Sequence, residues 1–350
     1  MKILLKFIHF YILILILSCS EQQESAIDYK FLNGLDTLTM MDYLFNKEVI
    51  KLNDSGQVLD HLSNTATIDL FGNFYIVGLN YSEIYKFRSD GRLLNTFSKL
   101  GRGPGEYKKI TEIEIDNSGN IFVYDIFGQK IIKYDSSFLY THEMKLVTSY
   151  PLSDMKINID GNLVCYHSVE PENVVYIYNC QTWELISKFG EPDDLAKKFK
   201  SFNGTKTLNI ERNNIFYINP LTYQINYYDS EQRLFKIIPS SKSHFNEITH
   251  SINNPLNEVR DYSLISCCFK YKDLFFVGIN NVERKNALHS VKTKFDILSK
   301  DGSILKKGLL FNEFLLLRSK KPNSFFTICY SDTLSSKNIN PTIIVYRFKQ

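Results

Sequence analysis

Three observations predict an all-β fold, a six-bladed β-propeller of four-stranded antiparallel blades closed by an N-terminal strand. They are a short unit repeated six times, an alternating strand ahead of the turn in the clearest copies, and a spare strand near the N-terminus. The unit is a polar turn, often Gly-Asn, followed by a short run of apolar or aromatic residues. Its copies begin at Gly72, Gly119, Gly161, Asn213, Lys272 and Asn323, in steps of 47, 42, 52, 59 and 51 residues. A period near 50 suits one propeller blade.

Each strand of a blade has its own signature. Strand A precedes the turn and alternates, as in Ile110-Thr111-Glu112-Ile113-Glu114-Ile115, the pattern of a half-buried strand. Strand B follows the turn as a continuous apolar run, such as Ile121-Phe122-Val123-Tyr124. Strand C follows a loop, as in Lys130-Ile131-Ile132-Lys133-Tyr134 or Val174-Val175-Tyr176-Ile177-Tyr178. A turn rich in Asp, Ser and Gly then leads into strand D, such as Arg92 to Phe97. The sixth copy stops after Thr342–Phe348, which reads as strand C. The spare strand around Glu48-Val49-Ile50-Lys51-Leu52 is expected to supply the missing strand D and so remove two exposed sheet edges. Pro192-Asp193-Asp194 opens a helix-start signature within residues 191–205, and residues 243–262 form a polar insertion.

Composition agrees with strands and turns. Tyr and Phe number 22 and 26 against one Trp, and they suit strand and inter-blade packing. The net charge of +3 includes Lys2 and Lys6, which lie in a segment expected to be removed, so the remaining chain is close to neutral. Nucleic-acid binding would need a strong basic excess or patch, and none is expected.

The N-terminus reads as an export signal over residues 1–18. Lys2 and Lys6 form a basic region ahead of an apolar run of eleven residues from Phe7 to Leu17, too short for a comfortable membrane span. It ends in Leu17-Ser18-Cys19-Ser20, which resembles the lipobox of bacterial lipoproteins. There a small residue precedes the cut and the Cys thiol takes a diacylglycerol. Several acyl chains anchor stably where one would be marginal. The expected partner of Cys19 is therefore the lipid bilayer, with residues 19–46 as lipidated tether and 47–350 as propeller. The expected location is the cell envelope, the outer membrane first, facing the periplasm or the outside. An ordinary secretory signal with an incidental Cys is the alternative.

The remaining cysteines, Cys165, Cys180, Cys267, Cys268 and Cys329, fall mostly in apolar strand patterns. They are expected to be buried free thiols rather than a disulfide framework. The seven histidines are scattered, with no pair at metal-ligand spacing, so neither a metal site nor a cofactor is expected.

The clearest punctuation in the chain is Gly101-Arg102-Gly103-Pro104-Gly105-Glu106-Tyr107, between strands D and A of successive blades. This stretch, with Ile121–Asp125 and Ile131–Asp135 after it, resembles the six-bladed β-propeller lipoproteins common in Bacteroidetes-type bacteria, which are similar to NHL-repeat propellers. The resemblance covers roughly residues 45–350, with a degenerate echo at Phe189-Gly190-Glu191-Pro192. It implies an exported, membrane-tethered propeller whose ligand is mostly undefined in the group.

Antiparallel blades put the D-to-A and B-to-C loops on one face. That face gathers Arg102, Glu106, Tyr107, Asp125, Gln129, His167, Glu170, Asn219, Tyr223, Asn280 and Arg284 as the candidate ligand-binding residues. The glycine loop has two readings. Its glycines can supply positive φ while Glu106 caps backbone N–H groups, or the loop can present Arg102 and Glu106 to a ligand. It lacks the strand-loop-helix context and the following Lys-Ser/Thr of a phosphate cradle. No Gly-x-Ser-x-Gly elbow and no sialidase Asp box is present. Asp125 and Glu170, from adjacent blades, are one carboxylate pair that could converge for glycoside hydrolysis.

The leading expectation is a non-catalytic binding or scaffold module for a glycan, peptide or envelope protein. The alternative is an envelope enzyme, a polysaccharide lyase or hydrolase or an NHL-like metal-dependent lyase, with its site at the channel mouth. A purely structural partner in a membrane complex is a third reading.

Overall fold

The computed structural model describes residues 37–53, 62–193, 195, 206–241, 245, 262–282, 293–311, 317–318, 324–329 and 341–349. The expected signal peptide, Cys19, most of the tether, most of the 191–205 segment and nearly all of the 243–262 insertion lie outside them. A helix, α1 (Thr37–Leu44), leads into β1 (Phe45–Lys51). Among the described residues no helix is long and apolar enough to cross a membrane.

Six four-stranded antiparallel sheets follow. Blade one is β2 (Leu62–Ile68), β3 (Phe74–Gly78), β4 (Ile84–Phe87) and β5 (Leu93–Phe97). Blade two is β6 (Ile110–Ile115), β7 (Ile121–Asp125), β8 (Lys130–Tyr134) and β9 (Tyr140–Lys145). Blade three is β10 (Asp154–Ile157), β11 (Leu163–Tyr166), β12 (Val175–Tyr178) and β13 (Leu185–Phe189). Blade four is β14 (Leu208–Glu211), β15 (Asn214–Ile218), β16 (Ile225–Tyr228) and β17 (Leu234–Ile237). Blade five is β18 (Tyr262–Tyr271), β19 (Leu274–Val282), β20 (Thr293–Ser299) and β21 (Ile304–Phe311). Blade six joins β22 (Leu317–Arg318), β23 (Ser324–Cys329) and β24 (Thr342–Phe348) to β1.

The closure expected from the spare strand is present. Strand β1 pairs antiparallel with β24 from Phe45↔Phe348 to Lys51↔Thr342, as strand D of blade six. The seam to blade one is made just beyond it, where Asn53 N–H donates to Gly91 O at 2.9 Å and Leu93 N–H to Asn53 O at 2.8 Å. Gly91 sits there at φ +89°, and a Cβ on it would lie 2.1 Å from the Lys51 carbonyl oxygen, so only glycine fits the seam.

The repeated turn owes its shape to an acidic or amide side chain at its first position. Asp69 Oδ1 accepts the N–H groups of Phe71 and Asn73 at 2.9 and 2.8 Å, and Asp116 does the same for Ser118 and Asn120. The B strands that follow are buried on both faces because neighbouring blades cover them. Aromatic rings fill all six inter-blade seams: Phe97–Phe138, Phe122–Trp183, Tyr166–Tyr217, Phe216–Phe275, Phe269–Phe325 and Phe74–Phe326, with centroids 4.5 to 6.0 Å apart. The D strands of blades one to three are mostly exposed and carry Asn, Thr, Lys and Glu, residues that blunt a sheet edge. Cys165, Cys180, Cys267 and Cys268 are buried free thiols and Cys329 is half-buried.

Candidate functional site

The glycine loop leaves strand β5 and folds back over the outer strands of blade two. Glu106 Oε2 accepts the backbone N–H groups of Arg102 and Gly103 at 2.9 and 2.8 Å. A Cβ on Gly101 would lie 1.9 Å from that oxygen, which explains the glycine. Gly105, at φ +69°, donates its N–H to Glu143 Oε2 at 2.9 Å, and its carbonyl accepts from Tyr134 Oη at 2.8 Å. Tyr107 is buried and its hydroxyl donates to Ser82 O at 3.0 Å. Burial works against ionisation of Glu143, but hydrogen bonds from Lys130 and from Gly105 N–H outweigh it and hold the carboxyl below its usual range. Glu106 therefore caps the loop, and only Arg102 and Pro104 face outwards. Replacing Glu106 with Ala should lower stability by about 1–3 kcal/mol, the cost of leaving partly buried donors unpaired. Arg102→Ala should change it by less than about 0.5 kcal/mol. Urea unfolding of both variants checks this.

The other candidates are mostly buried and mostly committed. Asp125 Oδ1 accepts Lys109 N–H at 3.1 Å and so pins the end of the glycine loop to blade two. Gln129 donates to Ser149 O at 2.9 Å from an exposed loop. His167 is fully buried, with Nδ1 3.1 Å from the Tyr150 carbonyl oxygen. Burial drives its pKa down to about 4 despite the Tyr150 and Pro151 carbonyls, so the ring is neutral with its proton on Nδ1. Its Nε2 and Asn280 Oδ1 have no protein partner among the described residues. Glu170 accepts from the Thr148 hydroxyl. Asn219 accepts Leu221 N–H at 3.1 Å and donates to Ser168 O, which ties blade four to blade three. Tyr223 Oη donates to Asp296 Oδ2 at 2.6 Å, tying blade four to blade five. Burial, then Asp296, pushes the phenol well above its ordinary pKa. Arg284 lies outside the described residues.

A further cluster of charge among the described residues lies elsewhere, on the innermost strands. Lys206, just ahead of β14, reaches past blade three to bond Glu112 on β6. Lys156 on β10 bonds Asp154 Oδ1 at 3.1 Å and lies 3.6 Å from Glu114 Oε2. Asp154 Oδ2 accepts Leu208 N–H at 3.1 Å. Burial pushes the Glu112 carboxyl up to about 7, with Lys206 opposing and Asp154 adding to the shift. Burial disfavours charge on Lys156, but Asp154, Glu114 and Glu112 more than compensate and hold it protonated. Three carboxylates and two ammonium groups thus link the inner strands of blades two, three and four. No group of three or more His, Cys, Asp or Glu side chains among the described residues is arranged to hold a metal ion.

The family described as 6-bladed beta-propeller matches residues 21–247 of this sequence. The chain belongs to that family. No curated protein matches it. Among solved structures it is similar to a Bacteroides fragilis protein titled as a candidate exported protein, at 16% identity and a TM-score of 0.59, covering 88% of this chain and 96% of that one. It is also similar to a DUF4221-family member from Bacteroides vulgatus, at 10% identity and a TM-score of 0.58, covering 87% and 97%. At these identities the likeness is one of fold. The six-bladed family frame accounts for the seams and the closure. It leaves the surface to be read from this chain alone.

On the loop face of blades one to three this family member exposes a belt of large apolar side chains. Leu79, Leu100, Phe127 and Val147 are 51%, 58%, 67% and 63% exposed, and Tyr150 lies beside them in the loop that also holds Val147. Backbone hydrogen bonds knit these loops together: Ile110 N–H to Tyr81 O, Ile126 N–H to Lys109 O, and Leu146 N–H to Gln129 O. Lys99, Arg102, Lys108 and Lys145 are exposed among them. Sequence reasoning named Arg102 and Gln129 here but missed the apolar residues, because an apolar loop residue reads alike whether packed or bare. It also missed the axial charges, although Glu112 and Glu114 at alternate positions of an inner strand were their signal.

Proposed function

We propose that the protein is an exported propeller, tethered to the cell envelope through acylated Cys19, that acts as a scaffold by docking a partner protein on the loop belt of blades one to three. The observation that carries this reading is the cluster of bare apolar side chains, Phe127 and Val147 foremost, on one knitted set of loops. Contiguous apolar surface rimmed by polar groups is the mark of an interaction site. The exposed cations beside it select a partner whose docking face is acidic at its rim. Binding is favoured over catalysis because most of the buried polar candidates already serve as caps and blade ties. The export reading draws support from the lipobox-like Leu17–Ser20 and from the structural neighbour titled as a candidate exported protein.

The test uses the full-length chain in its native envelope with cross-linking. Wild-type protein should fractionate with membranes and capture a partner protein. Phe127→Asp and Val147→Asp should lose that partner while melting like wild type. Cys19→Ser should move the protein to the soluble fraction. Retention of the same partner by both loop variants would refute the docking surface, and membrane retention of the Cys19 variant would refute the anchor.

A further inference from the structure

We propose that a groove between blades two and three, on the turn face opposite the loop belt, binds neutral carbohydrate. The groove has a volume of about 510 Å³ and is walled by the A-to-B turns of both blades and the C-to-D turn of blade three. That size is within the range of small-molecule clefts, about 300–1,000 Å³. Its lining differs from theirs, because side-chain amides dominate it and Ile157 and Cys180 are its apolar part.

The amides are held in fixed orientations. Asn158 Oδ1 accepts Asn162 N–H at 2.8 Å, and Asn179 Oδ1 accepts the N–H groups of Gln181 and Thr182 at 2.8 and 3.0 Å. A backbone N–H can be accepted only by the amide oxygen, so each NH2 group is left for other partners, and neither has one among the described residues. Asn120 has the reverse arrangement. Its Nδ2 donates to Asp116 Oδ2 at 2.6 Å, which leaves its Oδ1 as an acceptor. The turns that build the fold thus also set amide donors and an acceptor around one cleft.

Charge decides the ligand class. Lys133 stands against Asp116 and Asp160 in the lining, so neither an anion nor a cation is strongly favoured. A peptide would want apolar anchor pockets or a free strand edge. Sugar hydroxyls both donate and accept, which matches fixed amides of both polarities. Because rigid donors lose little entropy when they bind, preorganisation raises affinity without requiring large buried area.

The chain's one tryptophan, Trp183, reports on this cleft. It lies in the same turn as Asn179 and Gln181, and its ring centroid is 6.0 Å from that of Phe122, over which the Lys133 ammonium sits at 5.3 Å. The experiment titrates the full-length protein with cellobiose, maltose, chitobiose and their longer homologues, read by tryptophan fluorescence and by calorimetry. Glucuronate and glucosamine are the charged controls. At least one neutral sugar should bind with a Kd of about 1 mM or tighter. Asn162→Ala and Gln181→Ala, which remove groove side chains that hold no turn, should each weaken it about tenfold with the unliganded melting temperature unchanged. Phe127→Asp should leave it unaffected, which keeps this site separate from the loop belt. Preference for a charged sugar, absence of binding by every neutral one, or full affinity in both groove variants would overturn the proposal.

Discussion

Lys206→Met is expected to destabilise the propeller by about 3–5 kcal/mol at pH 8, because it strands a buried carboxylate without its cation. Lys206 bonds Glu112, and both side chains are almost wholly buried. The defect should shrink as the pH falls. Glu112 titrates near 7 in the folded protein against 4.5 for an ordinary glutamate. Loss of Lys206 would raise it further, so by pH 5 the carboxyl is protonated and no longer needs a counter-ion. The sign for wild type follows from the same numbers. A folded pKa above the unfolded one means that the native state holds the extra proton between the two values. Stability from this group is therefore complete below about pH 4.5 and falls as the pH rises through 7. A Glu112→Leu, Lys206→Met double variant should recover most of the loss at pH 8, since an apolar pair of similar volume replaces a buried ion pair at little cost. Urea unfolding at the two pH values reads all of this. A loss of equal size at both, or a double variant no better than the single, would show that the ion pair is not what Lys206 contributes.

The same network shows where the sequence was legible and where it was not. The continuous apolar runs of the B strands could be read directly, since only a strand covered on both faces tolerates Ile121-Phe122-Val123-Tyr124. The closure was legible by counting, because Thr342–Phe348 had no strand D and Glu48–Leu52 had no blade. The glycine loop yielded two readings, and the Glu106 cap is one of them in full geometric form. The axial charges were hidden by a sound rule. Alternation of Ile with Glu in β6 reads as one buried and one solvated face, but the innermost strand of a propeller has no solvated face, and Glu112 and Glu114 are both buried. The groove was hidden for another reason. Each Asx-type turn is a local motif, whereas the cleft depends on the spacing between turns of two blades, which no single repeat encodes.

A chain that begins at Asp54, and so lacks α1 and β1, should fail to fold cooperatively. The missing strand carries Phe45 and Ile50, with Leu52 just past it, all buried. At about 1.5–3 kcal/mol per buried side chain, these three alone approach the 5–15 kcal/mol net stability of a typical protein. Its loss would also bare the edge of β24 and unzip the seam at Gly91, which joins blade six to blade one. A chain beginning at Thr37 retains these contacts and should melt like the full-length protein. A synthetic peptide spanning residues 37–53, added to the shortened chain, should restore a cooperative transition by circular dichroism. Cooperative melting of the shortened chain alone, at the full-length temperature, would show that the ring does not depend on its clasp. The closure also constrains the order of folding. Among the described strands β1 is made first but pairs with β24, the last of them, so Phe45 must wait for Phe348. Contacts of such long sequence separation form slowly, because loop entropy is lost before the pairing compensates. Until then β1 lacks its partner strand.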